Sequence, residues 1–298
     1  MPAIVSHYLL AEKVRTALKE QKPHLALNPI AFTWGASGPD IFFCHRLLPH
    51  QRGRSLRAIA SEMHNRPAHT LLNYLVSYAR HQKSDLLMSY ALGFVTHYAF
   101  DSIAHPFILY FAEVMSHQHP EKHISICHNE IEASLDTLYL LKERRQLIGT
   151  FPLQNAAPIC PSVNQAIAEA LQSYLLYAFD RRIYTSEIVQ SQKDWHNSLA
   201  RLYDRNGLKY HFIQGCERAI GLPPLLSPMF RRNVPDLASD PANLRHTSWY
   251  AAREQAEHNE SFFDLVNQSV ELSLRLIASL LSSRPLTPAQ CSASFSGH

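Results

Sequence analysis

The segment His97-Tyr-Ala-Phe-Asp101-Ser-Ile-Ala-His105 constrains this chain most, because it sets three polar side chains four residues apart inside the longest apolar stretch, residues 85–115. Recurrence at four is close to the helical period. Each such step turns the direction by roughly 40°, so the three side chains share one helix face within about 80°. Their neighbours Gly93, Phe94, Val95, Ala99, Phe100, Ile103 and Ala104 are apolar or small, which makes that face an interior one. A buried, unpaired carboxylate is expensive, and two imidazoles do not neutralise it cheaply unless a cation sits between them. The alternative is a His–Asp hydrogen-bonded pair that serves only the core. His128-Asn-Glu-Ile-Glu132 repeats the spacing on the next helical segment, although such a pair taken alone also suits a helix surface.

The rest of the chain carries the same period. A first helix is expected from Ser6 to about Glu20 with Ser6 as its cap, then a Gly- and Pro-containing turn over 35–43 that holds Asp40. A helix from Pro67 to about His81 follows His64. The central helix is read over 85–115, with Asp85 as the residue that caps its start, and is expected to kink or break at Pro106. Further helices are expected at 121–145, 162–182, 185–206 and 254–282, with a proline-rich loop over 221–245. With only 9 glycines in 298 residues and no alternating strand pattern, the reading is an all-α chain. It is taken as one multi-helix domain over 1–283, and the tail 284–298 is expected to be disordered.

Composition narrows the chemistry. Of 18 histidines, thirteen lie between His7 and His128, and neutral imidazole is the commonest metal ligand. The five cysteines form no CxxC pair, which supports neither a disulfide framework nor a thiolate zinc site. A net charge of +3 with dispersed Lys and Arg argues against a nucleic-acid partner. No apolar run approaches the roughly 20 residues of a membrane span. The N-terminus lacks the pattern of a signal peptide, so a cytoplasmic location is expected.

Taken in order, His7, Gly35-Ala-Ser-Gly-Pro-Asp40, His64, His97-x3-Asp101, His105-Pro106 and His128-x3-Glu132 resemble the zinc-dependent phospholipase C family, whose helical scaffold also occurs in single-strand-specific nucleases. The motifs cover residues 1–135. Asn243-Leu-Arg-His-Thr-Ser-Trp249 and Glu260-Ser-Phe-Phe263 are similar to segments of cytoplasmic bacterial members. The resemblance implies a buried cluster of two or three zinc ions. Asp40, His64, His97 and Asp101 would hold one, and His105, His128 and Glu132 a second. A third would use His7 and Asp101 with the amino-terminal residue, a tryptophan in the family; here the Pro2 amine stands in its place. His69 is a supporting partner or alternative ligand, and His45 and His50 are expected at the mouth. His117, His119 and His123 are expected to be exposed, with His123 the substitute for His128.

The activity implied is hydrolysis of a phosphoric ester by zinc-activated water, with Asp40 as the catalytic group that orients or deprotonates that water. The substrate implied is a phospholipid or other phosphodiester, reached through transient membrane-surface contact by loops at the mouth. Two other readings stand beside it. One is a hydrolase of small phosphodiesters or single-stranded nucleic acid, and the other a non-catalytic metal-binding protein of the same fold.

Overall fold

A computed structural model describes residues 3–47, 51–234, 239–251, 256–291 and 293–295. Its helices are α1 (Ile4–Gln21), α2 (Pro29–Ala36), α3 (Arg57–His64), α4 (Ala68–His81), α5 (Asp85–Gln118), α6 (Ile124–Arg144), α7 (Pro161–Phe179), α8 (Thr185–Leu202), α9 (Leu208–Ala219) and α10 (Phe262–Leu281). The strands among the described residues are a two-residue antiparallel pair, β1 (Trp249–Tyr250) and β2 (Glu257–His258). None of these helices is long and apolar enough to cross a membrane.

Helix α5 is the axis. Ser84 caps it by accepting from Leu87 N, where Asp85 was expected to do so; Asp85 is instead the first helical residue, and α1, α2, α4, α6 and α10 all pack on the helix. It is apolar nearly all round from Leu87 to Ala112, as a fully enclosed helix must be. α2 approaches closely because glycines face each other there. A Cβ on Gly93 would collide with the Phe32 carbonyl, and one on Gly35 with the Tyr90 carbonyl. The helix also runs unbroken through Pro106, where a break or kink was expected. The lost hydrogen bond and ring clash cost about 3 kcal/mol, and burial of Phe107, Ile108 and Ala112 on the far side outweighs that.

Several local expectations change under tertiary packing. Ser6 is not a cap: it lies inside α1, and both its N–H and its hydroxyl donate to Asp136 Oδ1 of α6 at 2.8 Å. The other carboxylate oxygen of Asp136 accepts from Arg231 Nε at 3.0 Å, so one buried acid ties α1, α6 and the loop after α9 together. The last helix begins at Phe262, where Ser261 and Asp264 form a capping box. Helix α9 has no counterpart in the sequence reading, because its apolar residues face solvent and Glu217 is its buried residue. The tail from Arg284, expected to be disordered, is packed in its described part: Leu286, Cys291 and Phe295 are buried, and Asn73 holds the Leu286 backbone at both N and O. Three apolar anchors spaced through a polar segment carry no periodic signal.

Candidate metal centre

Four helices and a turn deliver the polar cluster. α5 carries His97, Asp101 and His105. The 3-10 turn Gly38–Phe42 after α2 carries Asp40, and α3, which ends at His64, packs on that turn. His64 Nε2 therefore lies 3.2 Å from Asp40 Oδ1 and 3.8 Å from Asp101 Oδ2. His97 Nε2 lies 3.3 Å from Asp101 Oδ2. From α1, His7 Nε2 reaches Asp101 Oδ1 at 3.1 Å, and its ring stacks on His97 with centroids 4.5 Å apart. On α6, His128 Nε2 is 3.1 Å from Glu132 Oε1, with the His105 ring 5.2 Å away.

Ligand-capable atoms thus gather in three groups: His7, His97 and Asp101; Asp40, His64 and His97; and His105, His128 and Glu132. His7, Asp40, His64, His97, Asp101, His105, His128 and Glu132, the principal ligand set named from the sequence, all fall in one of them. The grouping differs in detail from the one implied by resemblance, since Asp101 sits with His7 and His97, and His97 belongs to two groups. Pro2 and His50 lie outside the described residues.

Hydrogen bonding shows what these imidazoles are prepared to hold. A backbone carbonyl only accepts, so the contact of His64 Nδ1 with Ala60 O at 2.7 Å and that of His97 Nδ1 with Ala36 O at 3.1 Å place N–H on Nδ1 of both rings. In the neutral ring Nε2 then presents a lone pair toward carboxylate oxygens, an arrangement that repels unless a proton or metal intervenes. Donation of the far N–H to a carbonyl is also the usual way a metal-binding histidine is oriented. His7 Nδ1, His97 Nε2, His105 Nδ1 and Glu132 Oε2 are buried without a hydrogen-bond partner. Orphaned acceptors in a His and carboxylate set fit zinc, whose ordinary protein ligands these are. His45 makes the contrast. It is fully buried rather than at the mouth, and its Nδ1 accepts from Leu56 N at 3.0 Å, the opposite tautomer and a purely structural contact.

The acids and rings shift one another. Burial lowers His97 to about 4, against the charge of Asp101. Burial also opposes charge on His64, yet the hydrogen bond and charge of Asp40 lift it to about 9. The same contest leaves His7 raised by Asp101 and His128 raised by Glu132. His105 is lowered by burial. Burial would push Asp101 and Glu132 up, but the neighbouring histidines hold both below the ordinary carboxylate range. Such a concentration of perturbed groups marks functional sites.

These groups open onto a cavity of about 630 Å³ whose walls include Asp40, His64, Asp101, His105, His128 and Glu132, within the usual size of a ligand site. Its lining adds residues that the sequence did not single out, Arg57, Ser61, Asn65, Asn129, Leu226 and Met229. Behind the histidines, Phe295 from the chain's end is fully buried, with its centroid 5.8 Å from His64 and 5.9 Å from His97. No spacing rule links these residues to the cluster. The remaining histidines play other parts. His123 caps α6 through Nδ1, His117 and His119 are exposed, and His69, half-buried with an unpartnered Nδ1, joins none of the three groups.

Comparison with known proteins adds a family. The family model described as zinc dependent phospholipase C matches residues 6–204, a span that holds every residue of the three groups. No curated protein and no solved structure matches the chain. The all-helical fold, the buried clusters of ligand-capable residues and a family match over most of the chain agree, and the chain belongs to the zinc-dependent phospholipase C family.

Proposed function

We propose that this protein is a zinc-dependent phosphodiesterase that cleaves a phospholipid or a related phosphodiester in the manner of a phospholipase C. The observation that carries the reading is the pair His64 and His97, whose Nδ1–H groups are spent on backbone carbonyls so that both Nε2 atoms face the carboxylates of Asp40 and Asp101. The residues that would hold zinc are Asp40, His64, His97 and Asp101 on one side, His105, His128 and Glu132 on the other, and His7 with Asp101 for a third ion. Zinc in such a cluster lowers the pKa of water toward neutrality and offsets charge on phosphoryl oxygens.

The chain's own residues do the rest. Asp40, buried against His64 and on the cavity wall, takes the proton of the attacking water. The water oxygen bonds to phosphorus, the bond from phosphorus to the glycerol oxygen breaks, and the departing alkoxide is protonated from solvent. The products are a diacylglycerol and a phosphorylated head group. Asp101 keeps His7, His64 and His97 in register, and the partly exposed His128 leaves the cavity side open to substrate.

Elemental analysis of protein purified without chelators, paired with hydrolysis of p-nitrophenyl phosphorylcholine before and after chelation, tests this reading. Zinc in excess of one ion per chain and turnover that chelation abolishes and zinc restores are expected. Less than one metal per chain, not recovered by added zinc, overturns it.

A further inference from the structure

A second cavity of about 390 Å³ adjoins the first. The two share Cys44, Leu47, Leu226 and Met229 as a common wall, so the second opens beside the polar cluster rather than on an unrelated face. Its remaining apolar walls are Leu202, Phe212, Ile213 and Phe230.

Of its polar wall residues, Gln51, Asp194 and Lys209 are engaged elsewhere and Ser198 lies against Cys44, which leaves the Arg201 guanidinium. Asp194 accepts from Arg46 N, Gln51 Nε2 and Gln190 Nε2 at 2.9–3.0 Å. Lys209 Nζ donates to the carbonyls of Arg201 and Tyr203. A nucleobase or sugar placed there could pair with Arg201 alone and would leave its other donors and acceptors unpaired against leucine, isoleucine and methionine, at the full desolvation penalty. An aliphatic chain has no such groups.

The fold also holds large apolar side chains in water at this rim. Phe212 is 69% exposed, Leu226 56% and Leu47 47%. Leu226 is not loosely placed, because Glu217 accepts from the backbone N–H groups of Leu225, Leu226 and Ser227. Asp136 and Arg231 pin the strand of chain that follows. An apolar rim held rigid beside a polar cavity suits an occupant that is itself polar at one end and aliphatic at the other.

We propose that this second cavity binds the aliphatic chain of a phospholipid whose phosphodiester occupies the adjoining polar cavity. The proposal rests on the hydrolase reading for the ligand's polar end. Full burial of each methylene corresponds to about a fourfold gain in affinity, so chain length becomes a determinant of binding.

The test is calorimetric titration of the zinc-loaded protein with alkylphosphonocholines from butyl to decyl, kept below their micellar concentrations. In these probes a carbon–phosphorus bond replaces the ester that would be cut. Affinity is expected to rise by up to about sixteenfold with each pair of methylenes. That rise is expected to flatten in Ile213→Trp, which fills the cavity, and in Phe212→Ser, which changes an exposed rim residue and leaves the melting temperature near wild type. Affinity independent of chain length in the wild-type protein overturns the proposal, as does an unchanged slope in both variants. If chain-length-dependent binding persists while p-nitrophenyl phosphorylcholine is not turned over with zinc restored, the hydrolase reading fails and the chain site stands.

Discussion

His7 Nε2 lies 3.1 Å from Asp101 Oδ1, so a ring from the first helix completes a cluster whose other members stand on α5. Asp101 at the same time faces His97 and His64 through its second oxygen. One carboxylate thereby serves three imidazoles that arrive from three helices.

Asp101→Ala is expected to remove metal from more than one group and to lower unfolding stability by about 3–5 kcal/mol, the cost of leaving buried partners uncompensated. His7→Ala is expected to lose less metal. Zinc content and denaturant titration of the purified variants read both effects, and full metal retention in Asp101→Ala contradicts the shared role.

Gly38 stands at φ +52°, and a Cβ there would run into the His97 ring. Gly38→Ala is expected to displace that ring, reduce zinc content and cut turnover at least about tenfold. The strained backbone adds roughly 1–2 kcal/mol of destabilisation. Circular dichroism should show helix content unchanged, which separates a local effect from misfolding.

Phe295 is fully buried against His64, His97, Phe94 and Tyr98. Phe295→Ala is expected to cost about 3–5 kcal/mol through the cavity it leaves. Zinc should also escape faster to a chelator, because the two histidines lose their backing. A melting temperature within a degree of wild type would show that the tail does not pack there in solution.

Glu217 supports the rim loop through Ser227 and the amides of Leu225, Leu226 and Ser227. Burial raises its pKa, but these hydrogen bonds outweigh burial and hold it below the ordinary value of 4.5. A folded pKa below the unfolded one stabilises the fold above pH 4.5, and that contribution is lost as pH falls through the folded value. Glu217→Gln is therefore expected to destabilise by about 1–3 kcal/mol at pH 7, with the gap to wild type closing in acid. Stability curves for both proteins from pH 7 down to pH 3 check the sign, and a gap that widens in acid contradicts it.

The sequence by itself determined the helical class and the facing of His97, Asp101 and His105, because both follow from a period of 3.6 residues acting within one segment. It also carried the order of ligand-capable residues by which the family resemblance was recognised. It held no local sign that His7 and His64 meet Asp101, since that meeting depends on how α1 and the α3 turn seat against α5. Ser6 shows the same limit: its local position suits a cap, yet a buried carboxylate from α6 claims it. Pro106 reads locally as a break and is overridden by the packing on either side. The apolar cavity beside the cluster and the burial of Phe295 are further removed from any periodic signal. Both arise from contacts between segments far apart in the chain, whose favourable burial appears only once the whole core has formed, and only the tertiary structure decided them.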